Sequence, residues 1–201
     1  GVLVAGHGGR GGAVGARVVS KREFAGYWEY MLEEAIFTSP AHPNWGGTAL
    51  IGQDGKLLGI GSLYVEDAAD TSDGDDSRNG NMFVPIDLLT PILDEMLSEG
   101  RTAASHRPWM GLFTAEVEGG VEVIGLAQDG PAERSGLQLG DAIVKVNGTA
   151  IASMAELYRR AWSSGAAGVD IKMTVLRETY AFELTVKSED RYTRLKFQRQ
   201  F

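Results

Sequence analysis

The chain has no cysteine among its 201 residues. That excludes a disulfide framework, a thiolate nucleophile and a Cys-ligated zinc. No apolar run reaches the roughly 18 residues that a membrane-spanning helix needs, so no membrane insertion is expected. A secretory leader is also missing, although Gly1-Val2-Leu3-Val4-Ala5-Gly6 opens in mid-pattern, so that absence proves little. Basic surplus is lacking too. The formal charge is −8, with 7 Lys/Arg against 15 Asp/Glu in residues 1–103 and 12 of each in residues 104–201. Without a basic stripe, nucleic acid is not an expected partner. Histidine is scarce, with three, which leaves His7, His42 and His106 as candidates for proton transfer.

Glycine is plentiful, with 27 residues, many in turn-like pairs. At 43% hydrophobic and 23% charged, the composition is that of a globular chain long enough for two small domains. Residues 1–84 read as β-rich. Val2–Ala5 and Ala16–Ser20 are candidate strands on either side of a Gly-rich turn. Tyr27–Thr38 fits helix or strand by pattern. Ala49–Ile51 and Lys56–Leu63 form a hairpin across Gln53-Asp54-Gly55, and Met82–Val84 is a further strand. Leu88, Leu89, Ile92, Leu93, Met96 and Leu97 recur at helical spacing, which predicts a helix from Pro85 to Gly100. A polar linker runs from Arg101 to Pro108. Ser153-Met154-Ala155-Glu156 is a capping box that opens another helix. Residues 171–186 alternate as a terminal hairpin.

Two resemblances organise these elements. Pro43-Asn44-Trp45-Gly46-Gly47, followed by an apolar strand, an Asp-Gly turn and a strand ending Gly59-Ile60, resembles the nucleophile loop of trypsin-fold serine proteases, especially the HtrA/Deg family. The resemblance favours strand for the later part of Tyr27–Thr38, and Phe83-Val84-Pro85-Ile86-Asp87-Leu88-Leu89 resembles the family's link from protease to PDZ domain. Trp109-Met110-Gly111-Leu112-Phe113 is similar to a PDZ carboxylate loop. Asp129–Leu137 is similar to the short PDZ helix, and Gly140–Gly148 to its strand pair and turn. The implied fold is mainly β: the C-terminal half of a trypsin-like double β-barrel in residues 1–84, a connecting helix and linker in 85–103, a PDZ domain in 104–188 and a basic tail in 189–201.

What the resemblance implies for function is divided. Trp45 stands at the nucleophile and an indole cannot serve as one, while Pro43 stands at an oxyanion position and has no N–H to offer. The family's catalytic His and Asp belong to a first barrel that this stretch does not match. His7 lacks the expected apolar flanks, His42 lies two residues from Asn44, and His106 is in the linker. Ser39 and Ser62 sit in no nucleophile pattern. Trp45 either plugs the former pocket or grips an apolar ligand.

The PDZ groove reads as intact. The resemblance implies that Trp109, Met110, Gly111, Leu112 and Phe113 hold a peptide carboxylate and that Met154, Leu157, Tyr158 and Ala161 line the groove, with Arg107 as a possible helper. The expected function is a proteolytically inactive HtrA/Deg-like protein that binds apolar peptide C-termini. The alternatives are an HtrA-like endopeptidase in protein quality control, seen as a fragment, and a scaffold pair without peptide binding. The family also implies a periplasmic or otherwise extracytoplasmic location and a possible homo-oligomer. No cofactor or metal is expected. The acidic run of Glu66, Asp67, Asp70, Asp73, Asp75 and Asp76 departs from EF-hand order and reads as a solvated loop, with a cation site as the alternative. The stretch Arg191–Phe201 reads as a basic tether or an ordinary chain end.

Overall fold

A computed structural model describes residues 1–69, 79–102 and 106–194. The chain forms two compact units, one of Gly1–Phe24 with Leu32–Ala103, the other of Ala25–Met31 with Ala104–Phe201.

The first unit holds a closed barrel of strands in the order β1-β2-β3-β6-β5-β4. These are β1 (Val2–Ala5), β2 (Ala13–Gly26), β3 (Tyr30–Ser39), β4 (Ala49–Ile51), β5 (Leu57–Val65) and β6 (Gly80–Pro85). Closure removes the exposed edges that an open sheet would offer. Val4, Ile36, Leu50 and Phe83 meet inside, packed by Val2, Ala16 and Leu58. The β4–β5 hairpin turns where expected. Gly55 has φ 77, and Asp54 Oδ1 accepts the Lys56 N–H at 3.1 Å. Tyr30–Ser39 is strand, while residues 27–29 form a turn.

The helix expected from Pro85 to Gly100 is not continuous. Two 3-10 turns, Ile86–Leu88 and Thr90–Ile92, precede a short helix α1 (Leu93–Glu99). Pro91 is the reason. It has no N–H to donate to the carbonyl one turn back, and its ring crowds that carbonyl. The apolar stripe therefore does not turn inward: Leu88, Leu89, Leu93, Met96 and Leu97 are 38–76% exposed. The expected stop at Gly100 is observed, with φ 70 and its N–H on the Met96 carbonyl at 3.1 Å.

The second unit is built on a sheet in the order β12-β11-β9-β8-β7, with β10 paired to β9. Its elements are β7 (Leu112–Val117), β8 (Gly120–Leu126), α2 (Pro131–Arg134), β9 (Ala142–Val146), β10 (Thr149–Ala150), α3 (Met154–Trp162), β11 (Asp170–Arg177) and β12 (Tyr180–Lys187). The β9–β10 turn uses Asn147 and Gly148, both at positive φ (49° and 78°), as a tight hairpin turn demands. Ser153 caps α3, its Oγ accepting the Glu156 N–H at 3.2 Å. Glu156 reaches back to the Ala152 N–H at 2.7 Å, one residue beyond the capping-box partner. Met110, Leu112, Ile143, Leu157, Tyr158 and Met173 sit in one core.

Asp141 explains the Gly-Asp pair before β9. Its fully buried carboxylate accepts from Arg177 Nε at 2.6 Å and Nη2 at 2.8 Å, and from the Gln138 N–H at 2.8 Å. Burial pushes its pKa up, but the Arg177 fork and the Gln138 N–H together bring it below the ordinary value.

Candidate functional site

The loop before β7 is tied on both sides. Trp109 exchanges backbone hydrogen bonds with Glu189, at 3.0 and 2.9 Å. The Met110 carbonyl accepts from Ala132 N–H and the Gly111 carbonyl from Ala127 N–H, each at 2.8 Å. With its carbonyls used this way and Gly111 at φ 79, the loop aims three successive N–H groups at one point.

That point holds the carboxylate of Glu29. Its Oε1 accepts from Gly111 N–H at 2.6 Å, Leu112 N–H at 2.8 Å and Met110 N–H at 3.2 Å, and its Oε2 accepts from Met110 N–H at 3.0 Å. Glu29 is 7% exposed and lies in the 25–31 segment of the second unit. Tyr27 of the same segment accepts the Thr114 N–H of β7 on its carbonyl at 2.9 Å. The Tyr158 hydroxyl, fully buried on α3, donates to the Gly26 carbonyl at 2.8 Å and pairs with Thr114 Oγ1 at 2.9 Å. Ala25 and Met31 pack on the core, and the Tyr27 ring lies 6.1 Å from that of Phe113.

Burial pushes the Glu29 pKa up, from 4.5 to about 7, against the pull of the Leu112, Met110 and Gly111 N–H groups and of the Arg191 charge. Burial likewise lifts the neighbouring Tyr158 hydroxyl to about 12. A carboxyl raised in the folded state adds stability that is fully present below 4.5 and lost as pH rises through about 7. Urea unfolding of the protein and of Glu29→Gln, run across that range, should show the wild type losing ground relative to the variant. A constant difference would mean that this carboxyl does not titrate there.

The structure brings Trp109, Met110, Gly111, Leu112 and Phe113 together in the loop and the start of β7. Leu157, Tyr158 and Ala161 are fully or nearly fully buried, and Met154 is partly buried, its N–H on Glu116 Oε1 at 2.9 Å. Arg107 does not assist a carboxylate here. Its guanidinium lies 4.3 Å from the centre of the Trp162 ring, and Arg191 is the cation acting on Glu29. Sequence reasoning missed Gly26, Tyr27, Glu29 and Arg191. A glutamate in a turn between two strands carries no local sign that it is buried.

The nucleophile-like loop lies in the first unit. Three of its N–H groups are used internally: Asn44 donates to His42 Nδ1 at 3.1 Å, Gly47 to the Gly61 carbonyl at 2.8 Å and Thr48 to the Trp45 carbonyl at 3.2 Å. His42 is buried, and its Nε2 donates to the Gly12 carbonyl at 2.8 Å. The ring is a brace for the loop. A Cβ on Gly61 would fall 2.2 Å from the Trp45 carbonyl oxygen, so glycine is required under this loop. His7 is exposed, Ser62 is partly buried, and Ser39 donates to the Asn79 carbonyl at 3.2 Å. His106 pairs with Asp190. Glu66 and Asp67 are exposed; Asp70, Asp73, Asp75 and Asp76 lie outside the described residues, as does the tail beyond Arg194.

The PDZ domain family matches residues 108–188. The serine protease Do-like HtrA of Bacillus subtilis (strain 168) is 26% identical over 155 residues, covering 68% of this chain and 32% of that protein. Serine endoprotease DegS of Haemophilus influenzae is 29% identical over 101 residues, covering 50% and 28%. The solved HtrA-type protease AlgW with tripeptide matches at 22% identity with a TM-score of 0.54, covering 94% of this chain and 64% of that one, a likeness of fold. The chain spans about a third of the length of these curated relatives. A closed β-barrel followed by a PDZ domain defines the class as the trypsin-like barrel with an appended PDZ module. Within that class the chain is similar to the HtrA/Deg proteases, and residues 108–188 match the PDZ domain family.

Proposed function

We propose that this chain serves as the peptide-binding part of an HtrA/Deg-like protein, taking apolar C-termini in its PDZ groove, and that it does not itself cleave peptides by a serine mechanism. One observation carries the binding reading. Three consecutive loop N–H groups, from Met110, Gly111 and Leu112, converge on a single carboxylate. An incoming C-terminus offers the same acceptor, and β7 offers a strand to pair with. The structure of the HtrA-type protease AlgW with tripeptide supports the reading by analogy. An extracytoplasmic location rests on family likeness.

Affinity should be micromolar, on the order of −8 kcal/mol. Anisotropy titration of a labelled peptide ending in Val or Phe tests the proposal. The free acid should bind clearly better than the C-terminal amide, because only the acid gives the loop a charged acceptor. Gly111→Val should abolish the difference. Residue 111 needs φ 79, and its Cβ would come 3.1 Å from the Ala127 Cβ and 3.3 Å from the Trp109 ring. Equal binding of acid and amide would return the domain to a scaffolding role.

A further inference from the structure

We infer that the turn at Tyr27–Glu29 is a built-in occupant of the PDZ groove, which an external peptide C-terminus must displace before it can bind. The inference rests on the peptide-binding reading and states how that site is regulated.

Three independent contacts reproduce, from within the chain, what a peptide ligand would make. The Glu29 carboxylate fills the three-donor loop. The Tyr27 carbonyl takes the Thr114 N–H of β7, the bond that begins strand addition. The Gly26 carbonyl takes the hydroxyl of Tyr158 from α3. A side-chain carboxylate substitutes for a terminal one only if the backbone turns away at that residue, and Glu29 has φ 58. A non-glycine residue seldom adopts that conformation without a reason fixed by its surroundings. Here the reason is the aim of the carboxylate: the chain leaves the groove at Tyr30 and continues as β3 while the side chain stays behind in the loop.

The occupant and a peptide need the same three N–H groups, so they exclude each other. Apparent peptide affinity is then the intrinsic affinity reduced by the fraction of molecules with the turn undocked. If the turn is docked in nine molecules of ten, removing it should tighten binding about tenfold.

The experiment compares the wild type with Glu29→Ala and with Glu29→Gln. The second variant keeps the side chain's shape but sets an NH2 group against N–H donors. A fluorescein-labelled peptide ending in Phe-Val with a free carboxyl is the probe. Hydrogen exchange of the 25–31 segment is followed by mass spectrometry with and without saturating peptide. We expect about tenfold or greater tightening in Glu29→Ala, a smaller gain in Glu29→Gln, and loss of protection of residues 25–31 in the wild type when peptide saturates. The wild-type exchange result stands even if a variant fails to fold. Equal affinity in all three proteins, with 25–31 still protected at saturation, overturns the inference and leaves the peptide site standing. No binding by any of them, although the loop amides of Glu29→Ala exchange freely, overturns the peptide reading and the competition with it.

Discussion

Truncating Leu157 to alanine is expected to cost the second unit about 2–5 kcal/mol, the range for removing a fully buried aliphatic side chain. Leu157 is 0% exposed on α3, in a cluster with Met110, Leu112 and Tyr158, and Ala25 and Met31 pack on the same cluster. Domains of this size are stable by only about 5–15 kcal/mol, so a loss of that order should move the urea midpoint visibly. The size of the loss also reports on the groove. With the 25–31 segment in place, the cavity left by truncation stays dry and the full cost applies. A loss of less than about 1 kcal/mol would mean that Leu157 is not fully enclosed in solution. Unfolding followed by Trp109 and Trp162 fluorescence distinguishes the two results.

Restoring a serine at Trp45 is expected to give no measurable peptide hydrolysis. A serine hydroxyl needs a base, a partner for that base and a prepared oxyanion site. Of the histidines here, His42 is nearest in sequence, and both its ring nitrogens are engaged, with the Asn44 N–H and the Gly12 carbonyl. Pro43 gives no N–H, and the loss of one oxyanion donor costs about 10²–10³ in rate. A missing general base removes about 10²–10⁴ more. The double substitution Pro43→Gly with Trp45→Ser would return the nucleophile and the donor but not the base, so it too should stay inactive in this chain. Assay with casein and a fluorogenic peptide, with and without a serine-directed inhibitor, decides the point. Inhibitor-sensitive turnover by Trp45→Ser, or by the wild type, would refute the inactive reading.

The sequence made the strands legible wherever turn chemistry bracketed them. Asp54-Gly55 and Asn147-Gly148 mark hairpins because their backbone angles suit few other residues, and both hairpins are present. The loop at Gly111 and the cap at Ser153 were legible for the same reason: each is a local motif with its own stereochemistry. The segment from Pro85 to Gly100 misled because periodicity speaks of side-chain faces and not of the backbone, and Pro91 broke the hydrogen-bond ladder beneath a good apolar pattern. Glu29 was illegible for a different reason. Its partners are 81 to 83 residues away along the chain, and nothing local separates a carboxylate in a turn that points to water from one that fills a loop of N–H donors. A site completed by such a long-range contact leaves only half its signature in sequence, here the Met110-Gly111-Leu112 half.

On the proposed reading, the amides of Met110, Gly111 and Leu112 form a carboxylate site for which an internal and an external acceptor compete. The most direct test is a ¹H–¹⁵N spectrum of the protein titrated with the free-acid peptide, with the carboxyl carbon of Glu29 labelled and observed in the same samples. The three amide resonances should move together while the Glu29 carboxyl shifts to its solvent-exposed position at the same peptide concentration. Binding that moves other resonances and leaves these three amides and the Glu29 carboxyl unchanged would contradict it.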